Sequence, residues 1–111
     1  MSQSVKRYGQ VIRVRSEKLA EYKTLHRSVW PGVLDMIRKC HIRNYSIFYR
    51  DGSLFSYFEY TGRNFQADMK KMAADPETQE WWKLTDPCQQ PVETAQKGEW
   101  WAAIEEVFHT D

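Results

Sequence analysis

The four residues Arg50-Asp51-Gly52-Ser53 constrain this chain more than any other stretch of it. They separate two runs rich in aromatic and β-branched residues, 42–49 and 54–60. Asp-Gly supplies the positive φ angles that a tight hairpin needs, so the two runs are expected to be adjacent antiparallel strands. In the first run Tyr45, Ile47 and Tyr49 fall on one face and Asn44, Ser46 and Phe48 on the other. The hairpin sits near the middle of 111 residues, and a helical pattern lies on either side of it.

Before the hairpin, residues 8–14 read as a strand. Ser16 is placed to cap a helix beginning at Glu17. Leu19, Tyr22, His26, Val29, Val33 and Ile37 then recur at spacings of three and four, which is one helical stripe. Pro31 falls inside it. Proline lacks the helical donor and clashes one turn back, so the stripe is either a kinked helix or two short helices meeting near Trp30. After the hairpin, Asn64 can cap a helix carrying Phe65, Met69 and Met72. Asp75-Pro76 can start another, with Asp at the cap and Pro at the first helical position. That helix would carry Trp81 and Trp82. Residues 86–98 read as a loop and 100–108 as a closing strand. The order β-α-β-β-α-β predicts an α+β chain of the ferredoxin-like, split βαβ type. Its antiparallel sheet would carry helices on one face. The other face would be bare and aromatic, and a second copy of the chain would cover it in a dimeric α/β-barrel-type assembly.

One domain, residues 1–111, is the natural reading of this length. Sixteen basic and fifteen acidic residues leave a net charge of +1, without the basic excess of a nucleic-acid binder. No apolar run of about 20 residues exists to span a bilayer. The start, MSQSVKRYGQ, has no apolar signal segment. Cys40 and Cys88 match no metal spacing and read as reduced thiols, so a soluble cytoplasmic protein is expected. Aromatic residues make up 14% of the chain, some of them core and the rest available to a subunit interface or a site. Some of them are free to line a concave site.

The chemistry-bearing residues are few. His26, His41 and His109 have no metal-ligand spacing. No glycine-rich loop is present to cradle a phosphate. His26 shares its apolar stripe with Tyr22, one helical turn away. Its ring is either a core histidine satisfied by one hydrogen bond or an acid–base group in a pocket. Trp81 and Trp82 are either core or a platform for the apolar face of a sugar ring. Tyr22, Tyr45 and Asn44 could bond the hydroxyls of such a sugar. Of Glu105 and Glu106, one is expected to be buried, as a salt-bridge partner or a hydroxyl acceptor.

Taken together, Tyr22-x3-His26-x3-Trp30-Pro31, Asn44-Tyr45-Ser46-Ile47, Trp81-Trp82 and Glu105-Glu106-Val107-Phe108 resemble the L-rhamnose mutarotase family. The resemblance runs from about Val5 to His109. It implies a ferredoxin-like homodimer that interconverts the α and β anomers of a 6-deoxyhexose without cofactor or metal. It makes His26 the catalytic proton donor. Ring opening needs a proton at the ring oxygen, which His26 would deliver as imidazolium, and an unidentified base, for which a bound water or a carboxylate such as Glu106 could serve. Tyr22, Tyr45, Trp81 and Trp82 become sugar-binding residues. The stretch Asp86-Pro87-Cys88-Gln89-Gln90-Pro91 departs from the rhamnose pattern, which leaves L-rhamnose and L-fucose both open. Two other classes suit the same architecture. One is a cofactor-free or haem-binding monooxygenase of the dimeric ferredoxin-like type. The other is a sugar-binding module without catalysis.

Overall fold

The computed structural model describes residues 5–111. Strand β1 (Lys6–Val14) is followed by helices α1 (Leu19–His26) and α2 (Pro31–Lys39), then by strands β2 (Ile42–Arg50) and β3 (Ser53–Tyr60). Helices α3 (Phe65–Ala73) and α4 (Pro76–Thr85) come next. The short strands β4 (Gln89–Gln90) and β5 (Ala102–Ile104) end the fold. The sheet order is β2-β3-β1-β4, with β5 also pairing β1, and every pairing is antiparallel. This is the ferredoxin-like arrangement. No helix among the described residues is long and apolar enough to cross a membrane.

Local chemistry explains the elements. Asp51 and Gly52 adopt φ of 49° and 80°, and Arg50 pairs with Ser53, which makes the two-residue hairpin. Asn64 Oδ1 accepts the Ala67 N–H at 3.0 Å and starts α3. Asp75 Oδ2 accepts both the N–H and the hydroxyl of Thr78, at 2.9 and 2.8 Å, and starts α4. Pro31 does not kink a long helix. It opens α2 behind an extended Trp30, so the stripe is two helices.

Four expectations need correction. Ser16 does not cap α1: residues Ser16–Lys18 form a 3₁₀ turn in which the Lys18 N–H donates to the Arg15 carbonyl, and α1 starts at Leu19. The loop at 86–98 contains β4, which pairs with Arg13 and Val14. The closing strand is three residues long, not nine. Finally, Glu105 and Glu106 are both exposed, because the chain leaves the sheet after Ile104.

Side-chain direction then follows from register. Ile12, Val14, Leu54, Ser56, Phe58 and Tyr60 are buried toward the helices. Ile12, Val14 and Leu54 form one core cluster with Tyr22 and Cys88. Tyr8, Phe58 and Phe65 stack beside it, with neighbouring ring centroids 4.6–5.0 Å apart. The opposite face carries the paired Phe48 and Phe55, at 62% and 40% exposure.

Candidate active site

The site begins with a bulge. In β2 the register to β3 shifts between Arg43 and Ser46, and Asn44 sits at φ 52°. An added residue changes the alternation, so Ile42 and Tyr45 can both face the helices although they are three positions apart. Tyr45 packs edge-on against Phe58 at 5.6 Å. Asn44 turns the other way and donates its amide to Glu59 at 2.8 Å. It therefore lies apart from the hydroxyl-bonding group in which the sequence places it.

Helix α1 covers this part of the sheet. Tyr22 is 3% exposed, and its ring packs on His26 with centroids 4.2 Å apart. His26 also meets the edge of Trp81 at 5.4 Å, and Trp30 meets Trp81 at 5.3 Å. Trp81 is buried, supplied by α4, while Trp82 beside it is partly exposed. The structure thus joins Tyr22, His26 and Trp81 directly. Tyr45 lies near enough for its phenol to raise the Tyr22 pKa, a smaller effect than burial, which comes first. Tyr45 itself is 42% exposed, yet desolvation at its phenolic end pushes its pKa up to about 12. No ring contact joins Trp82 to the group. Trp30 reaches the group through its contact with Trp81.

His26 is in a defined chemical state. Its Nδ1 lies 2.8 Å from the Tyr22 carbonyl. A carbonyl can only accept, so Nδ1 carries the hydrogen and Nε2 is left with a lone pair. Burial pulls the pKa of His26 below the usual histidine value, and the bond to the carbonyl opposes that only in part. Near neutrality the ring is therefore the neutral Nδ1–H form, where the sequence reading starts from imidazolium. A pocket of about 300 Å³ beside it is lined by Tyr22, His26, Lys23, Arg27, Ile47 and Tyr49 among others. Lys23 Nζ lies 5.2 Å from the centre of the Tyr49 ring at this opening.

Other candidates fall away. Glu106 is bound by Arg7 at 2.6 Å, which holds its carboxyl below the ordinary range, and Arg7 and Gly9 share the face opposite the helices. It is not the base at His26. His41 pairs with Asp68 at 3.1 Å and His109 with Asp111 at 2.9 Å, both away from α1. Cys40 and Cys88 are buried free thiols. Among the described residues, no group of three or more His, Cys, Asp or Glu side chains could hold a metal ion.

Sequence reasoning missed Gln89 and Trp100. Gln89 is 4% exposed, and its Nε2 donates to the Tyr22 hydroxyl oxygen at 3.1 Å. Trp100 Nε1 donates to Gln89 Oε1 at 3.2 Å. No spacing in the chain signals a bond between residues 67 positions apart.

The model of the L-rhamnose mutarotase family matches residues 7–110. An L-rhamnose mutarotase from Oceanobacillus iheyensis is 31% identical, over 96% of this chain and 100% of its own length. One from Lactiplantibacillus plantarum is 29% identical over 95% and 98%. Among solved structures, an L-rhamnose mutarotase from Formosa agariphila gives a TM-score of 0.74 at 19% identity, covering 96% of this chain and 99% of that one. The tetracenomycin F2 cyclase of Streptomyces glaucescens shares the fold alone, with a TM-score of 0.63 at 11% identity over 96% and 99%. The match across residues 7–110 and these relatives establish that the chain belongs to the L-rhamnose mutarotase family.

Proposed function

We propose that this protein is an isomerase that interconverts the α and β anomers of a 6-deoxyhexose, with L-rhamnose as substrate and L-fucose as the alternative. The observation that carries the reading is His26 itself. It is a neutral, partly buried imidazole with one nitrogen anchored to the backbone and the other without a partner among the described residues, packed between the Tyr22 ring and the edge of Trp81. Mutarotation opens the pyranose ring and closes it on the other face of the carbonyl. On opening, His26 Nε2 takes the proton of the anomeric hydroxyl while the C1–O bond to the ring oxygen breaks. The ring oxygen gains a proton as it leaves. The aldehyde then rotates and the steps reverse, so that His26, now imidazolium, returns its proton to the carbonyl oxygen. Histidine is thus the base of opening and the acid of closing.

Tyr22 and Tyr45 bond sugar oxygens in this scheme, and Trp81 and Trp82 present ring faces or edges to the apolar side of the sugar. The rest of the sugar is held while C1 stays free to turn. Exposure of Phe48, Phe55, Val107 and Phe108 on one side supports a homodimer joined through that side. Two buried free thiols suit a cytoplasmic enzyme.

Saturation-transfer NMR of anomeric exchange tests the activity. Added protein should accelerate exchange of L-rhamnose, of L-fucose, or of both, at catalytic concentration. Uncatalysed rates for both sugars would reject the reading and favour a binding module.

A further inference from the structure

A tyrosine hydroxyl both donates and accepts, and ordinarily nothing fixes which it offers a ligand. At Tyr22 the neighbours decide. Trp100 Nε1–H is a donor only, and it lies 3.2 Å from the side-chain amide of Gln89. The amide must therefore turn its oxygen to Trp100, since the reverse orientation would oppose two donors. Its –NH₂ then faces Tyr22 and donates to the hydroxyl oxygen at 3.1 Å. With Gln89 buried and Trp100 alongside, the amide has no reason to flip. The Tyr22 oxygen has accepted, so its own hydrogen points elsewhere. No oxygen among the described residues accepts it. Tyr22 and His26 line one pocket, and that is the direction left to it.

We propose that Gln89, oriented by Trp100, commits the Tyr22 hydroxyl to donate to the sugar's ring oxygen, so that Tyr22 is the acid partner of the base His26. This rests on the mutarotase reading of the site. Gln89 and Trp100 are positioning residues; Tyr22 and His26 are the groups that meet the sugar. The two polarities are complementary: His26 offers a lone pair, Tyr22 a hydrogen. On opening, His26 takes the proton of the anomeric hydroxyl and the carbonyl forms at C1. The electron pair of the broken C1–O bond goes to the ring oxygen, which takes the Tyr22 proton. On closing, both protons return. While the ring is open, the Gln89 amide supports the phenolate oxygen with the hydrogen bond it already makes.

The test compares wild type with Trp100→Phe, Tyr22→Phe and the double variant. Each is checked for folding by circular dichroism, and anomeric exchange is measured across L-rhamnose concentrations. Trp100→Phe removes one N–H and keeps an aromatic ring. It should lower kcat about 5-fold, the scale of one hydrogen bond, with KM changed less than about twofold because the contact matters in the transition state. In the Tyr22→Phe background the same change should have almost no effect. An equal loss in both backgrounds, or none in either, overturns the proposal. A second measurement does not depend on catalysis. In ¹⁵N–¹H spectra, the Gln89 side-chain amide signals should move in both Tyr22→Phe and Trp100→Phe. Unmoved signals would also overturn it. Wild type that accelerates no sugar, with amide signals moving as described, would place the failure in the mutarotase reading, and in the role of Tyr22 toward a sugar, while the oriented Gln89–Tyr22 bond stands.

Discussion

Replacing His26 with Gln separates its chemistry from its packing. Gln can still donate from its amide to the Tyr22 carbonyl one turn back, the bond His26 makes at 2.8 Å. It cannot shuttle a proton near neutrality. General acid–base groups contribute about 10²–10⁴-fold, and the rate of anomeric exchange should fall by that factor. The structural cost is smaller. The ring's contacts with Tyr22 and Trp81 at 4.2 and 5.4 Å are partly replaced by the Gln side chain. A loss of about 1–2 kcal/mol is expected, typical of a substitution at a partly buried site. A domain of this size has about 5–15 kcal/mol of stability, so the variant stays folded and unfolding cannot account for a hundredfold loss. The assay is saturation-transfer exchange at 25 °C beside urea denaturation of the same preparation. A folded His26→Gln variant that retains more than about a tenth of wild-type activity would refute the assignment of proton transfer to His26.

Burial lowers the His26 pKa, so the folded state binds fewer protons there than the unfolded one. Its contribution to stability is present above the unfolded value of about 6.5 and is lost as pH falls through the folded value. Wild type should lose stability over that range more steeply than His26→Gln, and kcat/KM should fall on the same acid limb; parallel curves for the two proteins would contradict this. Asp75→Ala removes both bonds to Thr78 at the start of α4 and should cost about 1–2 kcal/mol in urea denaturation, with weaker sugar binding because α4 carries Trp81 and Trp82. Phe48→Asp places a charge beside Phe55 on the exposed sheet face and should shift the protein to monomers in sedimentation, without unfolding it.

Much of this architecture is legible in the chain because it is written locally. Asp51-Gly52 can turn only in a few ways, Asn64 and Asp75 cap the residues just after them, and Pro31 cannot sit inside a helix. The Tyr22–His26 pair follows from helical spacing in the same manner. What the chain conceals is decided by residues remote in sequence. Strand β4 exists because Gln89 and Gln90 find Arg13 and Val14, and its residues have little strand character of their own. Glu106 gives no local sign that Arg7, 99 positions earlier, claims it. The alternation of 45, 47 and 49 reads correctly, but the bulge before it does not, since a positive φ at Asn44 leaves no periodic trace. Gln89 looks like a loop glutamine until Tyr22 and Trp100 are placed on either side of it.

The bulge at Asn44 has a second consequence, for how copies of this chain meet. Strand β2 is an outermost strand of the sheet, with its free backbone edge open to any extended segment that arrives. A regular strand there would be a template for fibril-like addition. The left-handed residue that lets Tyr45 turn inward also breaks the even row of donors and acceptors along that edge, and Arg43 and Arg50 are exposed on either side of the break. A substitution that straightened β2 would then do two kinds of damage at once: it would turn Tyr45 away from Phe58 and the helix side of the sheet, and it would hand the cell a strand that sticks to others like it.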